Sequence, residues 1–401
     1  MDFDRFLVYA LPMWPSVELE ELTWTSHAPM SRRAQAKQPA SYESALVPAI
    51  ASEAVELSAA LVAKLEQATV AAARFDAEHA GAILPFAPLL LRGESFASSR
   101  IEQLSSTARR ILEAEVFGSA SGNADLIAAN TALMRAASRQ EVPDVAALAT
   151  LHEILLSRSA PAIAGKFRTE PVWIGGPDAH PVGALFVPPH QRHLERLLTD
   201  LVEFLHRTDI PALAHAALTH AQFETIHPFA DGNGRTGRAL IHIVLRAHGL
   251  AVNGILPLSA ALLRDTSTYF AALDAYRDGS IAPIVALFAD AALHATELGR
   301  GLATQLTQLR ADWNDEISAR RDAVDWKLAD FLLRQPLVDA AMVAEELDVT
   351  PANARRALER LEHDGVIVSA QVTKKKRAWR APEVLELLDE FADAARRPGL
   401  G

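Results

Sequence analysis

One stretch of the chain, His227–Arg238 with the sequence HPFADGNGRTGR, constrains the fold more than any other. Proline disfavours helical geometry at the residue before it, so a helix that ends near Ile226 should stop at His227. The glycines of the next turn, at residues 231–234, permit positive φ angles and a tight change of direction. A new helix is expected to start near Arg235. The stretch therefore predicts two helices joined by a short loop, with an imidazole at the end of the first helix.

The same loop carries groups that suit phosphate chemistry. Backbone N–H groups around Gly232 can converge on an anion, and the N-terminus of the following helix adds favourable potential. Arg235 and Arg238 are three positions apart, so both lie on one face of the first turn and can grip phosphate oxygens. Asp231 could hold Mg²⁺ together with phosphate oxygens, and a histidine can deprotonate a hydroxyl near neutral pH. Phosphoryl transfer needs little beyond such positioning and charge stabilisation.

The stretch also resembles the signature loop of the Fic family, HPFx[DE]GNGRxxR, and matches it at every defined position. The resemblance implies a mostly helical fold and transfer of AMP from ATP to a Ser, Thr or Tyr hydroxyl of a target protein. It implies that His227 is the general base, that Asp231 holds Mg²⁺, and that Phe229 anchors the loop in the core. The implied nucleotide contacts are the α-phosphate pocket for Asn233 and Gly234, the β-phosphate for Arg235 and the γ-phosphate for Arg238. Gly232 is also expected to be a nucleotide-binding residue.

Two further segments resemble parts of that family. Residues 165–189 read as short extended chain around the turn Gly175-Gly176-Pro177-Asp178, which predicts a hairpin-like flap. The family's flap docks the target segment, so the resemblance implies that Trp173 and Ile174 contact the target. The segment LLRDTSTYFAAL resembles the nucleoside-side segment, but it has Asp265 where the family usually has Asn. That departure puts the ribose contact in question.

A six-residue segment before the core, SSRIEQ, resembles the family's inhibitory motif [ST]xxxE[GN]. Ser98 and Glu102 match the motif, whereas Gln103 replaces its usual Gly or Asn. The resemblance implies that Glu102 pairs with Arg238 and so blocks productive binding of the γ-phosphate. In some relatives this glutamate instead positions water for the removal of AMP, and that second activity stays open.

Helical periodicity extends over most of the chain, and we predict an all-α fold with the short flap as an exception. Residues 1 to about 50 are expected to be irregular. A helix that starts near Ser95 is expected to contain Glu102 and to bury Ile101, Leu104, Ala108 and Leu112. The other helices are predicted at about 52–80, 124–138, 143–157, 191–206 and 211–226, then from the signature loop to about 320, with a charged helix near 302–320 as a link.

The C-terminal segment has a different pattern, which is typical of a winged helix-turn-helix. A helix at about 338–347 precedes Thr350, a good N-cap, and Pro351 at the first helical position. Gly365 suits the C-terminal cap, and an extended VIVSAQV precedes the basic turn at residues 374–377. We divide the chain into residues 1–130 with the inhibitory motif, 131–300 as the catalytic core, 301–322 as a linker and 323–401 as the winged helix.

Charge leaves the partner of the winged helix open. Between Thr350 and Arg380 there are 8 basic and 3 acidic side chains, although the whole chain has a formal net charge of −11. DNA contact, docking of a protein and dimerisation are all compatible with this pattern. The alternative to an enzyme is therefore a DNA-binding regulator whose Fic core only senses nucleotides. If the protein is an enzyme, nucleotide donors other than ATP also remain possible. The expected partners are a target protein, the protein itself and a second copy in a homodimer.

Composition excludes several other classes. The chain has no cysteine, which rules out disulfides, thiolate zinc sites and thiol catalysis. This fits a cytoplasmic protein. The N-terminus begins with acidic residues and is interrupted at Pro12, unlike a signal peptide, and no apolar run is long enough to predict a membrane span.

Overall fold

A computed structural model describes residues 14–25, 38–78, 86–118, 122–177, 179–373 and 376–394. Asp178 of the predicted flap turn and Lys374 and Lys375 of the predicted basic turn lie outside the described residues. The helices before the signature loop are α1 (Ala59–Glu78), α2 (Ala87–Ile101), α3 (Ala108–Phe117), α4 (Asn123–Ala137), α5 (Val145–Leu156), α6 (Leu194–Leu205) and α7 (Ala212–Ile226). The helices after it are α8 (Asn233–Ala247), α9 (Leu258–Leu262), α10 (Thr266–Arg277), α11 (Ala282–Glu316), α12 (Val324–Leu332), α13 (Ala340–Glu346), α14 (Pro351–His363) and α15 (Pro382–Ala394).

The centre of the fold is the antiparallel pair α7 and α8, which the signature loop joins. Every residue of α7 from Leu213 to Ile226 is buried, and so is every residue of α8 from Asn233 to Leu245. A helix that is buried on all sides must be surrounded by other helices. The loop therefore lies on a rigid central support rather than at the periphery, and the predicted mostly helical fold is confirmed.

The N-terminal region is less irregular than its sequence suggests. Strand β1 (Glu18–Thr23) pairs antiparallel with β2 (Ser41–Leu46), with Glu18 opposite Leu46. The N–H of Ala45 also donates to the carbonyl of Val187 at 2.9 Å, which attaches this hairpin to the end of the flap. The expectation of an irregular segment up to residue 50 was wrong because the strands are stabilised by tertiary pairing, which local composition does not reveal.

The segment that carries Glu102 also departs from expectation. Helix α2 ends at Ile101, so Glu102 is its C-cap residue rather than an interior position. Gln103 has a φ of 61° and stops the helix. Ala108 and Leu112, which we expected on the same helix, belong to α3, whose N-cap Thr107 accepts a hydrogen bond from the N–H of Arg110 at 3.4 Å. The prediction of one continuous helix failed because the left-handed turn and the new cap outweigh the helical spacing of the apolar residues.

The turn at Gln103 gives a stability prediction. A side chain with a Cβ costs about 1–2 kcal/mol in the left-handed region, and Asn adopts this region more readily. We expect Gln103→Asn to raise the free energy of unfolding by about 0.5–1 kcal/mol and the thermal midpoint by roughly 1–2 °C. Thermal unfolding measures this, with Gln140→Asn as the control because the backbone at Gln140 is not left-handed. A lower midpoint for Gln103→Asn alone would contradict the assignment.

The C-terminal segment has the helix, turn, helix and hairpin order expected of a winged helix. Strands β3 (Leu337–Val338), β4 (Val368–Thr373) and β5 (Lys376–Arg380) form a sheet in the order β3-β5-β4. Thr350 caps α14 by accepting the N–H of Asn353 at 3.3 Å, and Gly365 follows that helix with a φ of 88°. Both cap predictions are confirmed.

Much of the basic charge in this segment is already paired within the protein. Arg360 donates two hydrogen bonds of 2.7 Å to the buried carboxylate of Asp325. Arg377 pairs with Glu362 at 2.7 Å. The surface that could face a polyanion is therefore less basic than the residue count indicates.

The predicted charged link at 302–320 is the second half of a 35-residue helix, α11. This helix packs along α1 and α7 and also contacts α15. Trp313 near its end donates from Nε1 to Glu383 of α15 at 2.9 Å. The C-terminal segment is thus packed against the rest of the protein through α15. Within the described ranges, we find no helix with the length and apolar character needed to cross a bilayer.

Candidate active site

The end of α7 places His227 as the sequence predicts. The N–H of His227 closes the last turn on the carbonyl of Phe223 at 2.9 Å, and its own backbone is left-handed, with φ 49° and ψ 61°. The next apolar residue, Phe229, is fully buried and stacks on His152 with ring centroids 3.7 Å apart. The loop is therefore anchored in the core from below, while the imidazole of His227 is 19% exposed at the protein surface.

Two side chains fix the shape of the loop from inside. Asn233 accepts the N–H of Phe229 at 2.9 Å and donates back to the carbonyl of Phe229 at 2.8 Å. Nε2 of His152 lies 3.0 Å from the carbonyl oxygen of Asp231, and Gly232 has a φ of 78°. The side chain of Asn233 thus holds the shape of the loop. The first N–H groups of a helix have no partner within that helix and form the anion cradle expected here.

A cavity of about 270 Å³ lies over this cradle. It is slightly smaller than the ~300–1,000 Å³ of ordinary small-molecule sites. Its lining residues are Glu102, Leu104, Leu126, His227 and Ala230–Arg235. A larger cavity, of about 540 Å³, lies between α11 and α15, but three carboxylates, Glu297, Glu390 and Asp393, line it and would repel phosphate. The smaller cavity is the candidate nucleotide site.

Arg235 has buried side-chain donors that an anionic ligand could satisfy. Its side chain is only 5% exposed, and among the described residues Nε and Nη1 are buried without a hydrogen-bond partner. Its Nη2 atom lies 3.8 Å from the carboxylate of Asp231, which is itself 63% exposed. Buried guanidinium donors normally have acceptors, so an anionic ligand in the cavity would satisfy them.

Arg238, by contrast, is fully engaged by the segment that resembles the inhibitory motif. It donates from Nε to the hydroxyl of Ser98 at 2.9 Å and from Nη2 to the Ser98 carbonyl at 2.8 Å. Nη2 also donates to Oε1 of Glu102 at 2.9 Å. The structure therefore brings Glu102 and Arg238 together, as the motif resemblance implies, and it also places Ser98 in contact with Arg238.

The carboxylate of Glu102 lies directly over the N-terminus of α8. A Cβ at Gly234 would be only 1.9 Å from Oε1 of Glu102, so glycine is required for this approach. Burial alone would raise the pKa of Glu102, but the charge and hydrogen bond of Arg238, together with the charges of Arg235 and His227, outweigh burial and lower the pKa. Glu102 is therefore ionised at neutral pH and places a negative charge over Gly234 at the start of α8.

The helix that carries this motif is also held from its opposite face by α15. Arg100 donates from Nη1 to the carbonyl of Ala392 at 2.6 Å and to Asp393 at 2.7 Å. A Cβ at Gly93 would lie 2.5 Å from the ring of Phe391, so the two helices are in close contact. The C-terminal helix therefore contributes to the position of Glu102.

The electrostatics of His227 keep its imidazole neutral. Burial, with the charges of Arg168 and Arg277, lowers the pKa of His227 to about 4, against the raising effects of a backbone hydrogen bond at Glu224 and of the Glu102 charge. Nδ1 lies 3.8 Å from the carboxylate of Glu224, whose pKa burial raises to about 7. A neutral imidazole is the form that can accept a proton from a hydroxyl.

The flap has the predicted turn, with one isolated bridge in place of a regular hairpin. Ile174 pairs with Phe186 through a 2.8 Å hydrogen bond from the N–H of Ile174, and Gly175 and Gly176 both have positive φ. Trp173 donates from Nε1 to the carbonyl of Pro177 at 2.9 Å, and its ring meets Trp24 edge-on at 5.7 Å. That contact partly covers Trp173.

Asp265 and His220 have structural roles in this arrangement. Asp265 caps α10 by accepting the N–H of Thr268 at 3.0 Å. His220 is buried, and its Nε2 lies 2.7 Å from the hydroxyl of Tyr269. No group of three His, Cys, Asp or Glu side chains in the described part of the chain is arranged to hold a metal ion.

The sequence reasoning missed His152 and Arg168, which support the loop from behind. Arg168 donates from Nε to the carbonyl of His227 at 2.8 Å. The only local signal was the position of Arg168 near the start of the flap segment, and nothing in the periodicity of α5 marks His152. Both contacts depend on tertiary packing.

Comparison with known proteins agrees with this geometry. Residues 143–245 match the model of the Fic/DOC family. The chain is 30% identical over 138 residues to protein adenylyltransferase fic-1 of Caenorhabditis briggsae, which is 34% of this chain and 24% of that protein. It is 32% identical over 143 residues to protein adenylyltransferase Fic of Drosophila virilis, which is 35% of this chain and 26% of that protein. The match thus spans about a quarter of the length of these relatives.

A solved structure extends the fold comparison beyond the matched region. The crystal structure of a Fic family protein from Desulfovibrio desulfuricans G20 superposes with a TM-score of 0.53 and 20% sequence identity. The superposition covers 82% of this chain and 97% of the other. At this identity the likeness concerns the fold alone. In sequence, residues 143–245 of this chain match the Fic/DOC family, and the fold of the wider chain is similar to that of a solved Fic family protein.

Proposed function

We propose that this protein is an adenylyltransferase that moves AMP from ATP to a Ser, Thr or Tyr hydroxyl of a protein. The observation that carries the proposal is one cavity that combines a neutral, partly exposed imidazole with unpartnered buried donors of Arg235. The names of the curated relatives support the same chemistry. The target protein is undefined, and the protein itself is the simplest target to test.

In the proposed reaction His227 removes the proton from the target hydroxyl. The hydroxyl oxygen then attacks the α-phosphorus of ATP, a new P–O bond forms, and the bond to the β-phosphate breaks to release pyrophosphate. The loop amides and Arg235 stabilise the charge that develops on the phosphate oxygens. The pyrophosphate leaves toward Arg238, which must first be released by Glu102.

Asp231 is the residue proposed to hold Mg²⁺. Its carboxylate is 63% exposed at the cavity and accepts the N–H of Gly232 at 2.6 Å. A single carboxylate suits a magnesium ion that arrives with the nucleotide, because Mg²⁺ usually takes one or two carboxylates, water and phosphate oxygens. When bound, the ion would neutralise charge on the phosphate oxygens.

We further propose that Glu102 inhibits the reaction in this resting state. Its carboxylate occupies the space over Gly234 and holds Arg238, so a triphosphate and Glu102 compete for one site.

A second activity, hydrolysis, follows from the same position of Glu102. Because Glu102 is 41% exposed beside His227, it could also orient water for hydrolysis of an AMP-modified target. Incubation of AMP-modified protein without ATP tests this, since release of AMP that requires Glu102 would establish hydrolysis.

The contact between α2 and α15 gives a prediction about this inhibition. Arg100→Ala removes the hydrogen bonds to Ala392 and Asp393, so the end of α2 should become less ordered. We expect self-modification by labelled ATP to rise by about two- to fivefold, since each lost charge-assisted bond amounts to ~1 kcal/mol or more. Arg110→Ala is the matched control because Arg110 is exposed on the neighbouring helix. Equal rates in both variants would show that α15 does not restrain Glu102.

The DNA-regulator alternative concerns the winged helix rather than the cavity. Exposed Arg355 and Arg356 on α14 favour it, and the internal pairing of Arg360 weakens it. DNA binding by the full chain that is lost in Arg355→Ala/Arg356→Ala but kept in His227→Ala would support a DNA contact. Size-exclusion chromatography with light scattering would show whether the chain is a homodimer.

Intact-mass spectrometry tests the proposed function. Purified protein is incubated with Mg²⁺ and ATP, and in parallel with UTP, GTP or CTP. A mass gain of one AMP with ATP is expected, and a gain of another nucleotide from another donor would correct the donor. The native and the Glu102→Gly protein are both tested, on themselves and on the proteins of a cell extract. The proposal is refuted if neither form adds a nucleotide to either kind of target.

A further inference from the structure

Arg168 is a buried guanidinium between the flap and the signature loop. Arg168 is 5% exposed and lies near the start of the flap segment, residues 165–189. Nε donates to the carbonyl of His227 at 2.8 Å, and Nη1 donates to the carbonyl of Glu170 at 3.3 Å. Nη2 donates to the carbonyls of Pro189 and, at 3.4 Å, Ile226. The side chain of Arg168 thus contacts both ends of the flap segment, and it also contacts Ile226 and His227 where α7 ends.

The partners of this guanidinium are unusual for a buried charge. All its hydrogen-bond acceptors in the described part of the chain are backbone carbonyls, and no carboxylate there lies within ion-pair distance. Burial lowers the pKa of Arg168 to about 10, against a small opposing effect of Tyr42. A buried charge without a countercharge is costly for stability, so its presence beside a candidate catalytic group calls for a functional reason.

We propose that Arg168 is a positioning residue for AMP transfer, which holds His227 in its left-handed conformation and connects that conformation to the flap. This inference rests on the proposed function, because it assigns a role within the same reaction. Arg168 touches neither the cavity nor the expected phosphates, so it acts through His227.

The backbone at His227 needs such support. A residue with a Cβ is unfavourable at φ 49°, yet this conformation turns the imidazole from the end of α7 toward the cavity. Arg168 grips the peptide on both sides: its side chain binds the carbonyl of His227, and its own N–H donates to the carbonyl of Pro228 at 3.0 Å. The geometry of the base is therefore fixed by contacts from outside the signature loop.

The charge of Arg168 has a second effect on the same imidazole. The charged groups that act on His227 from the surrounding elements are Arg168, Arg277 of α10 and Glu102, and the Glu224 carboxylate lies 3.8 Å from Nδ1. Arg168 and Arg277 disfavour the imidazolium form, whereas Glu102 favours it. Removing the charge of Arg168 should therefore raise the pKa of His227.

Lysine cannot reproduce this arrangement. A guanidinium has five N–H donors in a planar fork, whereas an ammonium is a compact point charge that cannot reach four carbonyls in three segments. Arg168→Lys therefore keeps the charge and loses most of the bridging, while Arg168→Gln loses both. The two variants separate the electrostatic effect from the geometric one.

The test uses the full chain in the Glu102→Gly background, with Arg207→Gln as the matched control. Arg207 also donates to backbone carbonyls, those of Ala51 and Glu53, but lies away from the cavity. For each variant, kcat and KM for ATP are measured, and the pKa of His227 is followed by NMR of its Cε1–H. We expect kcat to fall about 100-fold in Arg168→Lys and Arg168→Gln, with KM for ATP changed less than about threefold. The pKa of His227 should rise in Arg168→Gln and stay near its parent value in Arg168→Lys.

Two results would overturn the proposal. One is a kcat of Arg168→Lys equal to that of the Glu102→Gly parent. This comparison is sufficient on its own if Arg168→Gln does not fold. The other is a parallel loss of kcat, ATP affinity and thermal stability with an unchanged pKa of His227, which would indicate a purely structural role. If the Glu102→Gly parent itself transfers no AMP, the proposed function fails, and the His227 pKa still reports whether Arg168 acts on the imidazole.

Discussion

Replacing His227 with alanine is expected to lower AMP transfer by about 10²–10⁴-fold, the range attributed to a general base. The imidazole is the only titratable side chain of the cavity that is both neutral at pH 7 and partly exposed beside the phosphate cradle, within the residues that the structure describes. Loss of the base should affect kcat, since the contacts to the phosphates come from the loop amides and Arg235. ATP affinity should therefore stay within about threefold of the parent.

The assay follows labelled AMP on the protein in the Glu102→Gly background, with ATP affinity measured by calorimetry. His220→Ala is a poor control because His220 is buried against Tyr269. His206→Ala is better matched, since His206 is exposed at the end of α6. Transfer at the parental rate by His227→Ala would remove this residue from the mechanism. A loss of ATP binding equal to the loss of transfer would assign it a binding role.

The second large effect is expected from Glu102→Gly, which should raise AMP transfer by at least about tenfold. Glu102 forms a 2.9 Å ion pair with fully buried Arg238 and also fills the space over Gly234. A hydrogen bond to a charged group contributes about 1.5–3 kcal/mol, and the 41% exposure of Glu102 places this pair at the lower end of that range. Removing the carboxylate frees both the guanidinium and the space for a γ-phosphate.

Two further variants sharpen this test. Glu102→Gln keeps the shape of the side chain without its charge, so it should release the inhibition only in part if charge and space both matter. Gln103→Gly changes the neighbouring residue and keeps the carboxylate, so it should leave the rate low. The rates are compared as incorporation of labelled AMP at equal protein concentration. An unchanged rate in Glu102→Gly would mean that the Glu102–Arg238 pair does not control the reaction.

Local sequence signals predicted those parts of the fold where the chain itself determines the geometry. Pro228 ends α7 at Ile226, and Thr350 with Pro351 begins α14, as expected from their backbone chemistry. The residues that meet at the Glu102–Arg238 contact were found through a motif resemblance, since helical spacing alone placed Glu102 inside a helix. The position at the end of α2 depends on one left-handed residue, Gln103, which no propensity favours there.

Contacts between distant segments could not be predicted from local patterns. The strand from Ser41 to Leu46 exists because it pairs with β1 and with the end of the flap. The role of Arg168 depends on carbonyl groups at residues 170, 189, 226 and 227, which only the folded chain brings together. The contact of Arg100 with α15 joins segments almost 300 residues apart, at a sequence separation of 292. Such features need the tertiary structure, because hydrogen bonds to backbone carbonyls leave no trace in residue type.

The arrangement of the nucleotide in the cavity is the most direct test of this account. A crystal structure of the Glu102→Gly protein with Mg²⁺ and an ATP analogue, in which a methylene group replaces the oxygen between the α- and β-phosphates, would show it. We predict that the α-phosphorus faces the imidazole of His227 over the amides of residues 232–235, with Arg235 and Arg238 on the outer phosphates. A nucleotide bound elsewhere, or a cavity that stays empty at saturating analogue, would contradict the central claim.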